Sequence, residues 1–401
     1  MRGLRLRIRL LSIGLQAEAI RRLIRCDAFW RLARRFKPVL SLRPHQVWVT
    51  RHDDVIDVLS RDRDFGVPYL PNLEGLRSPF LLGLPDGDDY ERQLDVLLTA
   101  LHDPRLPSIE ELSVAEAQRA LEEANGSIDV VRDLTERVLL HSVGTYLGTG
   151  EATPAQLEQS RAIFYEIFIN ALHNPVVTDN AVVAGGALRA HIAQLVADRH
   201  AAIGRDEADG VDVLGLLVRD GRLDDDEIVN SLLGLFVGWT TPVSRSMGFG
   251  VDALLDRDDA IRLGREAARE GGPKAVRDVM LEALRFQPSA PALERICARE
   301  THIAGRRVRR GDQVMALVSS AMMDEARVTD PRRFMPGRGA EANLHFGDRL
   351  HRCVGQHISM AQIGAISSVL LAHENLTRAG SLERVGPYPS RLLVSFRPAP
   401  A

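Results

Sequence analysis

HFGDRLHRCVGQH, residues 345–357, is the stretch on which the reading of this chain turns. It sets Cys353 in a glycine-bearing loop just before a segment, about 355–371, whose pattern is helical. A helix start offers unpaired backbone N–H groups and the positive end of the dipole. Both favour a thiolate over a thiol. A free cysteine taken alone is most often a small buried hydrophobe, so the residues around it decide.

Working outward, Glu282-Ala-Leu-Arg285 sets an acid and a base at i,i+3 on one face of a helix spanning about 273–286. Such pairs are common on solvated helices, and alone this one says little. Between it and the cysteine lie Arg295, in PALERICARE, and Arg338, in DPRRFMPGR. Upstream, SLLGLFVGWTTPVSR (231–245) is the apolar interior of a helix over 224–256. The acidic start of that helix, Asp224 to Glu227, suits the dipole.

In this order the residues resemble the cytochrome P-450 superfamily. Its cysteine loop reads Phe-Gly-x-Gly-x-His-x-Cys-x-Gly, and Phe346, Gly347, His351, Cys353 and Gly355 match in register. Arg349 replaces the second glycine, a departure expected to reshape the turn before the ligand. A thiolate can ligate haem iron axially and donate electron density to it. The resemblance therefore implies haem b (iron protoporphyrin IX), with Cys353 as axial ligand of the iron. It also implies that Phe346, Gly347 and Gly355 shape the cofactor loop. Arg295 and His351 become contacts for the two propionates, whose carboxylates suit such donors. Glu282, Arg285 and Arg338 become a structural triad that holds the haem-side coil.

Two departures concern other cofactor contacts. The family often has His-x-x-x-Arg on the helix at 89–101, where this chain has Tyr90 and Leu94. Tyr90 keeps a donor for a propionate, and Arg92 or Gln93 is near enough in sequence to compensate for Leu94. AMMDEARVTDP puts Met322 and Met323 where the family often has Asn and Arg.

The long helix resembles the family's oxygen-binding helix, Ala-Gly-x-(Asp/Glu)-Thr-Thr. Aligning Gly238 with the family glycine makes Thr241 the proton-delivery threonine and leaves Thr240 at the acid position. The other register puts Trp239 at the acid position and makes Thr240 the key threonine. Both lack the acid. The first is preferred because Gly238 opens room for a ligand. Pro242 removes an i−4 hydrogen bond, so a local kink is expected.

The rest of the 401 residues sets bounds. Apolar residues make up 45% and charged residues 26%, ordinary globular values that exclude disordered and low-complexity classes. Net charge is −3, against a dedicated nucleic-acid binder. No apolar run approaches the roughly 18 to 20 residues of a membrane span. Three widely spaced cysteines, Cys26, Cys297 and Cys353, make no disulfide framework. The basic start, residues 1–15, reads as a frayed terminus rather than a signal peptide. No repeat or linker divides the chain. The fold class is mainly α with a small β region, the cytochrome P-450 fold, in a single domain over 1–401.

The function implied is a haem-thiolate monooxygenase, an oxidoreductase of secondary metabolism in the cytoplasm, acting as a monomer. It would insert one oxygen atom from O2 into a small, mainly apolar organic substrate. Electrons would come from a separate ferredoxin or flavodoxin with its reductase, since no such domain fits in this length. Substrate-lining candidates, by family analogy, are Phe80, Leu81, Trp239, Pro291, Leu293 and Tyr388. The missing acid keeps a second class open: peroxide-driven oxidation, dehydration or isomerisation. A non-catalytic haem protein is the third.

Overall fold

The computed structural model describes residues 26–75, 80–170, 174–205 and 211–397. The basic start at 1–15 lies outside them. The chain forms two compact units.

The smaller unit is built from 26–66, 290–333 and 339–349. Its centre is a five-stranded sheet in the order Val39–Arg43, Gln46–Val49, Gln313–Ala316, Leu293–Cys297, Phe65–Gly66. Only the pair Gln46–Val49 and Gln313–Ala316 is parallel. Val47, Val49, Val314 and Ala316 are buried in its core, as β-branched and small residues on a central strand pair should be. Trp30, on the helix Asp27–Phe36, stacks on Trp48 at 5.8 Å.

The larger unit contains most of the helices. The longest, Asp225–Leu255, starts with a capping box in which Asp224 and Glu227 exchange side-chain bonds to each other's backbone N–H. Nearly all its side chains from Ile228 to Leu254 are buried, so apolar packing on every side sustains it. It runs uninterrupted through Pro242. The helix carrying the Glu-x-x-Arg pair is Gly272–Phe286, and the one after the cysteine is Gln356–Ala372. These two pack closely. A Cβ on Gly364 would lie 2.5 Å from the Pro273 carbonyl oxygen, so the approach needs glycine there.

Several segments differ from their sequence pattern. The Pro- and Gly-rich stretch 66–88, whose composition suits a long loop, contains a helical turn, Leu70–Gly75, and a 3-10 turn, Leu81–Gly83. The stretch 128–147, whose pattern is helical throughout, begins as a strand, because Ser127–Asp129 pairs with Leu393–Ser395. Asp129 then caps a π-helical stretch, Val130–Glu136, before the α-helix Arg137–Leu147. A helical pattern is plain only from His191, yet the helix starts at Pro175 and reaches Gly204; Asn174 caps it, and the Gly185-Gly186 pair hides its pattern. Val213–Asp220 and Asp258–Glu270 are helices the pattern did not reveal.

Candidate functional site

Cys353 sits three residues before the helix Gln356–Ala372, whose N-cap is Gly355. No side chain caps that start, so backbone N–H groups stay available. The Gly355 N–H bonds the Cys353 sulfur. The residue keeps solvent access, yet the atoms crowded around the sulfur push its pKa up. The Gly355 N–H and the Arg352 guanidinium offset this only in part. A metal bound here would take the sulfur in its deprotonated form.

His351 closes the 3-10 turn Arg349–His351. The Tyr90 ring meets its imidazole edge to face at 5.4 Å, and the Tyr90 hydroxyl donates to the Leu350 carbonyl. That phenol has one proton, so Tyr90 positions the ligand loop and is not the propionate donor expected. Nor do its neighbours compensate. The Arg92 guanidinium forks onto the Glu227 carboxylate at 2.6 and 3.0 Å, and Gln93 also reaches Glu227. Arg92 and Gln93 thus tie the helix Asp88–Leu101 to the start of the long helix.

The structure brings Glu282, Arg285 and Arg338 together. Arg285 grips Glu282 bidentately at 2.8 and 2.7 Å. The Met335 N–H and the Arg338 Nε reach the same carboxylate at 2.9 and 3.1 Å. Burial pushes the Glu282 carboxyl up, but these donors outweigh it and hold it below its ordinary value. The segment held is 334–338, at the end of DPRRFMPGR.

On the long helix, Asn230, Leu233, Gly234, Val237 and Gly238 recur at helical spacing and line one cavity. Phe80, Leu82, Ile163, Ile167 and Phe168 supply much of its remaining wall, with about 450 Å³ of empty space including the open mouth. The same stripe continues to Thr241 and Arg245. A Cβ built on Gly238 would meet nothing within 4 Å. Pro242 has no N–H, so the Gly238 carbonyl lacks its i+4 donor.

Thr240 and Thr241 are buried in a chain of hydroxyls. Thr240 donates to the Phe236 carbonyl at 2.9 Å. Ser160 lies 2.7 Å from the Thr240 hydroxyl and 2.9 Å from that of Thr241. With one proton each, Thr241 donates to Ser160, and Ser160 donates to Thr240. Ser160 was not foreseen from sequence, because nothing in its own segment marks it.

Trp239 is not a lining residue. Its indole N–H donates to Gln362 at 2.7 Å, Gln362 donates on to Ser142 at 2.7 Å, and its ring meets Tyr146 edge to face. Leu81 is turned into the core, and its neighbours Phe80 and Leu82 take the wall. Tyr388 is buried on the strand Tyr388–Arg391. Arg295, Pro291, Leu293, Phe346 and Gly347 belong to the smaller unit. Arg295 is buried on the strand Leu293–Cys297, donating to the Glu294 carbonyl. Phe346 is half-buried and Gly347 has φ +72°. Arg349 has φ +57°, so the turn keeps the left-handed residue that a glycine supplies, now at the cost of a Cβ.

These residues fit a haem. The accessible sulfur receives a backbone N–H at an uncapped helix start, and open space borders Gly238 on the helix that resembles the oxygen-binding one.

A family model described as Cytochrome P450 matches residues 274–377. The chain is 31% identical over 202 residues to cytochrome P450 CYP105Q4 of Mycobacterium marinum, covering 50% of this chain and 47% of that protein. It is 26% identical over 355 residues to nocardicin C N-oxygenase of Nocardia uniformis subsp. tsuyamanensis, covering 84% of each. Several matches span less than half of the relative's length, at 47%, 43% and 39%. The crystal structure of CalO2 matches with a TM-score of 0.77 at 22% identity, over 93% of this chain and 96% of that one. A mutant of P450 EryK in complex with erythromycin B matches with a TM-score of 0.77 at 24% identity, over the same shares. At these identities the likeness is one of fold.

Proposed function

We propose, for a chain that belongs to the cytochrome P450 superfamily, that it is a haem-thiolate monooxygenase acting on a small, mainly apolar organic molecule. The observation that carries this reading is Cys353, an accessible thiol bonded by the Gly355 N–H before a helix start that no side chain caps. When bound, haem b supplies the oxygen activation by which one atom of O2 enters the substrate and the other leaves as water. In this reading Cys353 would hold the iron, and His351 and Arg295 would offer donors to the propionates.

The chain's own residues do the rest. The apolar cavity beside Gly238 takes the substrate body and excludes water. The Thr241–Ser160–Thr240 chain holds protons in line beside it. The cavity lining on this helix ends at Gly238 and leaves out Trp239, and position 241 continues its helical spacing, which favours the register with Gly238 and Thr241. Arg352, exposed beside the cysteine, is offered to an acidic ferredoxin or a flavodoxin, which delivers electrons from its reductase. Among the described residues no helix is long and apolar enough to cross a membrane. We read the chain as one P450 domain acting as a monomer in the cytoplasm.

A second reading, oxidation driven by peroxide, is favoured by one feature. The hydroxyl chain ends on the Phe236 carbonyl, with no carboxylate in it. Turnover is measured with a ferredoxin and reductase under O2, and with peroxide alone. Product under the first regime only supports the monooxygenase, and product under the second only supports the alternative. No product from either, with tight ligand binding retained, makes the chain a haem-binding protein without catalysis.

A further inference from the structure

Arg245 has no carboxylate partner among the described residues. Its Nη2 donates to the Ser289 carbonyl at 2.5 Å, and its buried Nε makes no hydrogen bond. The cation lies 5.3 Å from the centre of the Tyr388 ring and 5.7 Å from that of Phe164. Two aromatic faces stabilise a guanidinium, but they leave its N–H edge unmet. The Tyr388 hydroxyl is also unmet: the residue is 8% exposed and its oxygen has no hydrogen-bond partner. Other guanidiniums of this unit are answered by carboxylates, Arg285 by Glu282, Arg161 by Glu136 and Arg199 by Asp212.

A buried donor left without an acceptor is costly, and a buried cation without a counter-charge more so. Here two such donors come from different elements, with the guanidinium lying against the ring that carries the hydroxyl. Burial pushes the Tyr388 hydroxyl well up against the pull of Arg245, so it stays protonated and can donate. A guanidinium N–H with a phenol O–H beside it matches the lone pairs of one carboxylate. The location suits a substrate. Arg245 continues the stripe that lines the cavity, about 10 Å along the helix axis from Gly238 at 1.5 Å per residue. Phe164, one of its ring partners, is on the helix that supplies Ile163, Ile167 and Phe168 to the cavity wall.

We propose that Arg245 and Tyr388 form a carboxylate-binding subsite, and that the substrate is an amphipathic acid whose apolar body fills the cavity beside Gly238. This rests on the reading of that cavity as a substrate site. Thr241 then lies between the apolar and the anionic end.

The test uses the haem-loaded protein and probe pairs that differ only in charge: decanoate against decan-1-ol, and 4-phenylbutyrate against 4-phenylbutan-1-ol. Affinity is read by calorimetry and by the ligand-induced change in haem absorption. Wild type should hold each acid about tenfold or more tighter than its alcohol, the scale of one charge-assisted bond. Arg245→Gln should erase that preference while leaving alcohol affinity unchanged, and Arg245→Lys should restore part of it. Tyr388→Phe should reduce it several-fold. Equal affinity for acid and alcohol in wild type, no binding of either acid, or a preference that survives Arg245→Gln would overturn the subsite. If Arg245→Gln does not fold, an undiminished preference in both Arg245→Lys and Tyr388→Phe overturns it. A wrong haem-thiolate reading is recognised separately, by a carbonyl spectrum lacking thiolate character, while calorimetry still reports the acid preference.

Discussion

Arg338 reaches back 56 residues in the chain to set its Nε 3.1 Å from the Glu282 oxygen that Arg285 already holds at 2.7 Å. One buried carboxylate thus answers two guanidiniums and the Met335 N–H. Glu282→Ala takes this buried carboxylate from both guanidiniums, and Arg285→Ala removes the bidentate half of the cluster and leaves the acid to Arg338 and the Met335 N–H. Each should cost about 3 to 5 kcal/mol, a large share of total stability, and leave little soluble holoprotein. Arg338→Ala removes its bond to that carboxylate, a loss worth about 1.5 to 3 kcal/mol. Melting temperature and haem content measure all three. Normal values for Glu282→Ala and Arg285→Ala would reduce the cluster to an ordinary helix pair.

The same carboxylate makes stability depend on pH. Its folded pKa is depressed, so its contribution is full above the ordinary carboxyl value of about 4.3. It is lost as pH falls through the lower folded value. Urea midpoints recorded downward from pH 5 should therefore fall more steeply for wild type than for Glu282→Gln. Parallel curves would show that Glu282 does not govern the acid limb.

Arg349 holds a left-handed backbone. Its ion pair to Asp348 at 3.7 Å, with the arginine side chain 66% exposed, returns little. Arg349→Gly relieves a cost of about 1 to 2 kcal/mol, partly offset by the greater freedom of glycine in the unfolded chain. A net gain of about 0.5 to 1 kcal/mol in urea unfolding is expected. Arg349→Val should lose stability, since a β-branched residue tolerates this region worst. A loss on going to glycine would show that the arginine side chain, not the backbone, sets the turn.

Cys353→Ser should lose the thiolate-type spectrum of the reduced carbonyl complex. Cys26→Ser and Cys297→Ser should keep it. Cys297 is buried and its sulfur bonds the Arg299 carbonyl, so that variant should lose some stability but no spectral character. A thiolate spectrum in Cys353→Ser would overturn the ligand assignment.

Thr241→Ala removes the first donor of the hydroxyl chain and should lower product per electron while raising peroxide release. Thr240→Asp or Thr240→Glu should raise coupling. Trp239→Glu should not, and it should also destabilise the protein by breaking the bond to Gln362. Coupling restored by Trp239→Glu would reverse the register. Unchanged coupling in Thr241→Ala with a good substrate would leave its hydroxyl a packing group.

What could be read from sequence was what a local pattern carries. The cysteine loop, the Glu-x-x-Arg pair and the acidic start of the long helix each announce themselves within a dozen residues. Arg338 could be placed with them because the family pattern orders it. Tyr90, Arg92 and Gln93 were harder, because the choice between a cofactor contact and a protein contact lies with distant partners, the Leu350 carbonyl and Glu227. Trp239 beside Gly238, and Leu81 between Phe80 and Leu82, give no sign of which residues turn inward; packing against their neighbours decides. Ser160 and Arg245 acquire meaning only when the helix Pro154–Phe168 meets the long helix and Tyr388.

The Phe80 ring occupies the place where a methyl group on Gly234 would sit, 2.4 Å from its built position. Cavity width and helix sequence are thereby coupled as a lock of two tumblers. Gly234→Ala alone must drive the aromatic ring into the void or out of the wall, whereas Phe80→Ala alone hollows the site. A lineage exploring new substrates must change both positions together, or change Phe80 first. Directed evolution that saturates one of the two while holding the other would sample mostly blocked or gaping pockets.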